Sequence, residues 1–101
     1  MNSHTYDVGA EIIQERRRQD LKWGEQNHPS GTGSFYKRKA ALAKKRCQNP
    51  LNDQDSWDLI LLEEVYEALA EINELKVREE LIQVAAVAMA WVECIDRRNT
   101  Q

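Results

Sequence analysis

The chain is 101 residues long, 42% hydrophobic and 31% charged, with a formal net charge of −3. That is one domain's worth of sequence, spanning 1–101. No stretch approaches the ~20 apolar residues of a membrane span, and the negative balance argues against binding a nucleic-acid polymer.

The first residues lack the charged-then-apolar pattern of a secretory signal. Cys47 and Cys94 are too few for a disulfide framework or a Cys/His zinc set. Neither has a histidine partner at a recognisable spacing, so a nucleophilic role is not expected. The expectation is reduced thiols in a cytoplasmic protein.

In chain order, residues 5–23 are predicted to form a helix capped by Thr5 or Asp7. Val8, Ile12, Gln19 and Trp23 share one face, and Gly24 stops it. Residues 24–34, with Gly24, Pro29, Gly31 and Gly33, read as the longest loop. Residues 35–48 read as a short basic helix with Tyr36, Ala40, Ala43 and Cys47 inward. A polar turn at 49–54 follows. Asp55 or Ser56 then caps a long helix from about 56 to 75, with Asn73 at its fraying end. A last helix covers about 77–97. No strand alternation is visible. The fold class is all-α, most simply a four-helix bundle.

Charge is segregated. Residues 37–46 hold six basic side chains and no acid, whereas residues 63–80 hold seven glutamates against Lys76 and Arg78. Such a chain can hold a cation and a polyanion side by side, or simply carry solvated helix faces. The last helix is apolar nearly all round from Leu81 to Val92, broken by Gln83, with Ala85, Ala86, Ala88 and Ala90 permitting close approach. A helix apolar on every side needs cover on every side. A homodimer or higher assembly is therefore expected.

The chemistry lies in the third and fourth predicted helices. On a wheel of about 100° per residue, Trp57, Ile60, Leu61, Ala68 and Leu75 fall within about 60° of Glu64. Glu64 thus sits in the apolar stripe, with Glu67 and Glu71 close to it and Glu63 near its edge. Glu80 shares a face with Val84, Val87 and Trp91, and Gln83 follows one turn on. Carboxylates on an inward face are costly unless paired or bound to a cation. If the two helices are antiparallel neighbours, Glu64/Glu67 and Glu80/Gln83 meet. Three carboxylates and an amide oxygen suit Mg²⁺ or Mn²⁺. The competing reading is a set of solvated glutamates.

The segments LLEEVYEALAE at 61–71 and REELIQVAAVAMAW at 78–91 resemble the MazG-like branch of the all-α NTP pyrophosphatases, which is similar in carrying EExxE and then ExxD. Here Glu63-Glu64-x-x-Glu67 is followed by twelve residues and then Glu80-Leu81-Ile82-Gln83. The opening ERRRQDLKWGEQNHP at 15–29 also looks like small members of the group. The resemblance covers most of the chain and is weakest over 30–56.

It implies Mg²⁺-dependent cleavage of nucleoside triphosphates between the α and β phosphates, giving a monophosphate and pyrophosphate. By position, Glu64, Glu67 and Glu80 match the family's metal-binding acids. Gln83 stands where the family usually has an aspartate; it keeps a carbonyl oxygen and loses the charge. Binding without turnover is the alternative this substitution leaves open. Glu63 or Glu71 would be a free carboxylate near the attacking water. Lys37 and Lys44 share a flank of the inward face of the basic helix, where they can take phosphate or serve as solubilising surface. Trp23, Asn27 and His28 open the glycine-rich loop, and an aromatic with an amide can stack and read a base. Trp57 has the same capacity, although a tryptophan on a helix stripe also suits a core. Gln19 faces inward and can reach a nucleotide or a backbone group.

Overall fold

In the computed structural model, residues 2–47 and 56–99 are described. Among them the structure is all-helical: α1 (Ser3–Trp23), a 3₁₀ turn (Ser34–Tyr36), α2 (Lys37–Cys47), α3 (Trp57–Ala70) and α4 (Glu74–Asn99). Among the described residues, no helix is long and apolar enough to cross a membrane. The contacts divide the chain into two units, one drawing on residues 1–30 and 89–101, the other on residues 31–88.

In the first unit, α1 starts earlier than its sequence suggests. Asn2, not Thr5 or Asp7, is the cap; the Thr5 N–H donates to Asn2 Oδ1 at 3.1 Å. Gly24 ends the helix at φ 68°, with its N–H donating to the Asp20 carbonyl. A left-handed position directly after a helix favours glycine. The start of α1 lies against the end of α4: the Thr5 hydroxyl donates to Glu93 Oε1 at 2.6 Å, and His4 Nε2 lies 2.7 Å from Asp96 Oδ2. At Gly9 the helices approach closely, since a Cβ there would lie 3.7 Å from Met89 Cε.

Of the predicted inward face, Val8 is 1% exposed and Gln19 half-buried, but Ile12 is 42% and Trp23 56% exposed. Length explains the difference. The unit draws on α4 only from Met89 onward, about half the length of α1, so the far end of α1 has no cover within it.

In the second unit, α2 and the 3₁₀ turn pack on α3. The Gly33 N–H donates to the Leu69 carbonyl at 2.9 Å, and Cys47 Sγ donates to the Leu59 carbonyl at 3.2 Å. Ala43 on α2 and Ala68 on α3 are buried, and Tyr36, Ala40 and Cys47 are half-buried, the phase expected of that helix.

Two boundaries move. The predicted basic helix begins as a 3₁₀ turn, so the α-helix proper starts at Lys37. The predicted long third helix stops at Ala70: Glu71 takes an extended conformation at ψ 144°. Asn73 then caps α4, accepting from the Leu75 and Lys76 N–H groups at 2.9 and 3.3 Å. Leu75 therefore leaves the α3 stripe and is 74% exposed on α4. Ser56 precedes α3, and its hydroxyl beside Asp58 holds that carboxyl below its usual range. The predicted turn at 49–54 and the Asp55 cap lie outside the described residues.

Candidate metal site

Glu63, Glu64 and Glu67 stand on α3 because the helix phase that buries Ala68 brings them round to a half-buried flank. Glu80 arrives from α4, one turn beyond the buried Val77. One carboxylate oxygen from each of Glu64, Glu67 and Glu80 can be chosen so that all three lie within 4.8 Å of one another. Among the described residues, this is the group of acidic, histidine and cysteine side chains close enough to share an ion.

The electrostatics of the group are unfavourable as it stands. Glu64 Oε2 and Glu80 Oε2 are closed off from solvent and have no hydrogen-bond partner. Buried acceptors without a donor are rare in folded proteins. Burial, then the charges of Glu80 and Glu63, push the Glu64 carboxyl above its usual range. Burial and the neighbouring Glu64, Glu63 and Glu80 push Glu67 up as well, against the pull of Lys44. A hard divalent cation fits all of this: it would satisfy the orphaned oxygens and offset the mutual repulsion. Gln83 lies one turn beyond Glu80 and is exposed.

Beside the cluster is an open cleft of about 480 Å³, lined by Lys37, Ala40, Glu67, Glu71, Asn73 and Glu80 among others. Lys37 thus borders the same cavity as two of the acids. Lys39 lies instead over the Tyr66 ring, 5.9 Å from its centroid. Asn73 and Ile72 in the cleft wall were not foreseen, because they arise from the break between α3 and α4. The available signal was Asn73 directly followed by Glu74, a cap and a first-turn acid.

Gln19, Trp23, Asn27 and His28 belong to the other unit. Gln19 Oε1 accepts from Arg16 Nη1 at 2.9 Å, beside a cavity of about 680 Å³ that it lines with Arg16, Asp20 and Glu25. Trp23 has Lys22 Nζ 4.9 Å from its ring centroid, Asn27 Nδ2 donates to Glu25 Oε2 at 3.2 Å, and His28 is exposed. Trp57 is half-buried at the start of α3. Cys47 and Cys94 are both half-buried.

Compared with known proteins, the chain matches no family model, no curated protein and no solved structure.

Proposed function

We propose that this chain is a MazG-like, cytoplasmic nucleoside triphosphate pyrophosphohydrolase that uses Mg²⁺, or Mn²⁺ in its place. The observation behind this reading is the convergence of Glu64, Glu67 and Glu80 within 4.8 Å, two of them with orphaned buried oxygens, beside a cleft bordered by Lys37. A separate acidic cluster and lysine matched to one cavity suit a ligand that is both metal-chelating and anionic, as a nucleotide's phosphates are.

In this reading Glu64, Glu67 and Glu80 would hold the metal, and Gln83 would add a neutral carbonyl oxygen. The metal, when bound, neutralises phosphate charge and acidifies water. Glu63 or Glu71 takes the proton of the attacking water at a carboxylate oxygen. The water oxygen bonds to the α-phosphorus, the bond from that phosphorus to the α–β bridging oxygen breaks, and the bridging oxygen leaves with pyrophosphate. Lys37 Nζ, with Lys44 further along α2, stabilises the leaving charge. Gln19, Trp23, Asn27 and His28 belong to the other unit and are given no part in this site.

The test is a panel of ribo- and deoxyribonucleoside triphosphates with Mg²⁺ and Mn²⁺, read by pyrophosphate release. Metal-dependent release from at least one of them is expected, falling by roughly a hundredfold or more in Glu64→Gln. No pyrophosphate from any member would overturn the enzymatic reading.

Position 83 favours a second reading, sequestration of a nucleotide without turnover, because a glutamine there brings no negative charge to the site. Tight calorimetric binding without product, and activity gained in Gln83→Asp, would select it.

A further inference from the structure

The basic side chains of α2 do not all face the same way. Lys37 borders the cleft, Lys44 draws on the Glu67 carboxyl, and Lys39 lies over the Tyr66 ring. Arg38 and Lys45 turn away from all of these. Measured from the middle of the inward face of Ala40, Ala43 and Cys47, both lie about 170° round the helix wheel, and Leu42 about 130°. With the preceding 3₁₀ turn, Phe35, Arg38, Leu42 and Lys45 succeed one another at intervals of three, four and three residues, along one stripe. All four are exposed, Phe35 at 70% and Leu42 at 53%. Among the described residues, neither Arg38 nor Lys45 has a carboxylate partner. The Phe35 ring is nonetheless seated. Its Cε1 would lie 2.9 Å from a Cβ at Gly33, and its centroid is 4.6 Å from that of Tyr36. Gly33 is itself tied to α3 through the Leu69 carbonyl.

We propose that this stripe docks on an anionic lipid surface, with α2 lying along the membrane plane. Phe35 and Leu42 enter the headgroup region, and Arg38 and Lys45 meet the lipid phosphates. Charge complementarity is the first argument. Residues 37–47 contain six basic side chains and no acid. Helix α3, which carries Glu63, Glu64 and Glu67, packs on the Ala43 side of α2, away from the stripe. Clustered cations on a helix face gain affinity for anionic lipid with each added charge.

The second argument is the mixture of side chains. A nucleic-acid strand would use Arg38 and Lys45 for its phosphates and the Phe35 ring for stacking, but it offers nothing to Leu42. An acidic protein partner would need far more surface, since a stable protein interface takes ~20–30 residues a side. A lipid surface accepts apolar and cationic side chains from one short helix together. The attachment is peripheral, because among the described residues no helix is long and apolar enough to cross a membrane. This inference is independent of the catalytic reading.

Vesicle flotation of the full chain at about 0.1 M salt tests it. The chain is expected to float with phosphatidylcholine vesicles containing roughly a third phosphatidylserine, and not with phosphatidylcholine alone. Partitioning is expected to fall about fivefold in Arg38→Gln, about fivefold in Lys45→Gln and roughly twenty-five-fold in the double variant. Phe35→Ser is expected to lower it about tenfold. Lys76→Gln removes a charge elsewhere in the same unit and is expected to leave it unchanged. All these positions are exposed, so circular dichroism is expected to show the wild-type helix content in each variant. Four results would each overturn the proposal. They are no flotation with the anionic vesicles, equal flotation with both vesicle types, a loss in Lys76→Gln equal to that in Arg38→Gln, and tighter binding to an oligothymidine strand or a polyglutamate peptide than to the vesicles.

Discussion

Glu64 is held where a carboxylate is least comfortable, with one oxygen out of solvent and Glu80 and Glu63 adding their charges. The consequence has a definite sign. The carboxyls of Glu64 and Glu67 are raised in the folded chain, so folding favours their protonated forms. Their contribution to stability is fully present below the ordinary glutamate pKa of about 4.3 and is lost as pH rises through the raised values. Without metal, this contribution falls as pH rises above the ordinary glutamate range. Mg²⁺ or Mn²⁺, which needs the ionised forms, raises the melting temperature increasingly over the same interval. Glu64→Gln is expected to flatten both trends and to melt higher than wild type in EDTA at neutral pH. Thermal melts across pH 4–8 with EDTA or Mg²⁺ check this, and a metal response undiminished in Glu64→Gln would contradict it. Across the cleft, Lys37→Ala is expected to raise KM by about tenfold and leave metal affinity unchanged, since a point charge on phosphate is all it removes.

Among the helices, the least obvious device is the break that separates α3 from α4. Asn73 accepts two N–H groups there and starts the helix that carries Glu80. Asn73→Ala is expected to cost about 1 kcal/mol in denaturant unfolding and to lower metal affinity. This break also marks the limit of what the sequence discloses. Helix phase was legible, because burial repeats with the helix period: Ala43, Ala68 and Val8 are buried, and Glu64, Glu67 and Glu80 lie on half-buried flanks. Boundaries were less so. Residues 71–73 contain no glycine or proline, so local pattern prolongs α3 across them, and only the side-chain cap reveals the new start. The face of α1 was readable but its cover was not, because Ile12 and Trp23 have the right phase and still stand exposed. The carboxylate cluster was readable as a phase coincidence between two helices; the cleft beside it depended on a bend that the pattern does not encode.

For the molecule as a whole, the hydrophobic side chains buried among the described residues are Val8, Ala43, Ala68 and Val77, two of them alanines, while Leu21, Leu75, Phe35 and Ile72 are each at least 70% exposed. So small an apolar interior stabilises little. Folding is therefore expected to be coupled to association, and the denaturation midpoint to rise with protein concentration; a midpoint constant over a hundredfold dilution would contradict that. Association and catalysis are separate questions, and the second rests on one arrangement of three side chains. Diffraction from crystals grown with Mn²⁺, recorded for its anomalous signal, tests that arrangement most directly. A manganese peak bonded to oxygens of Glu64, Glu67 and Glu80 and lost in Glu64→Gln crystals is the predicted result. Crystals with manganese elsewhere, or with none between α3 and α4, would contradict it.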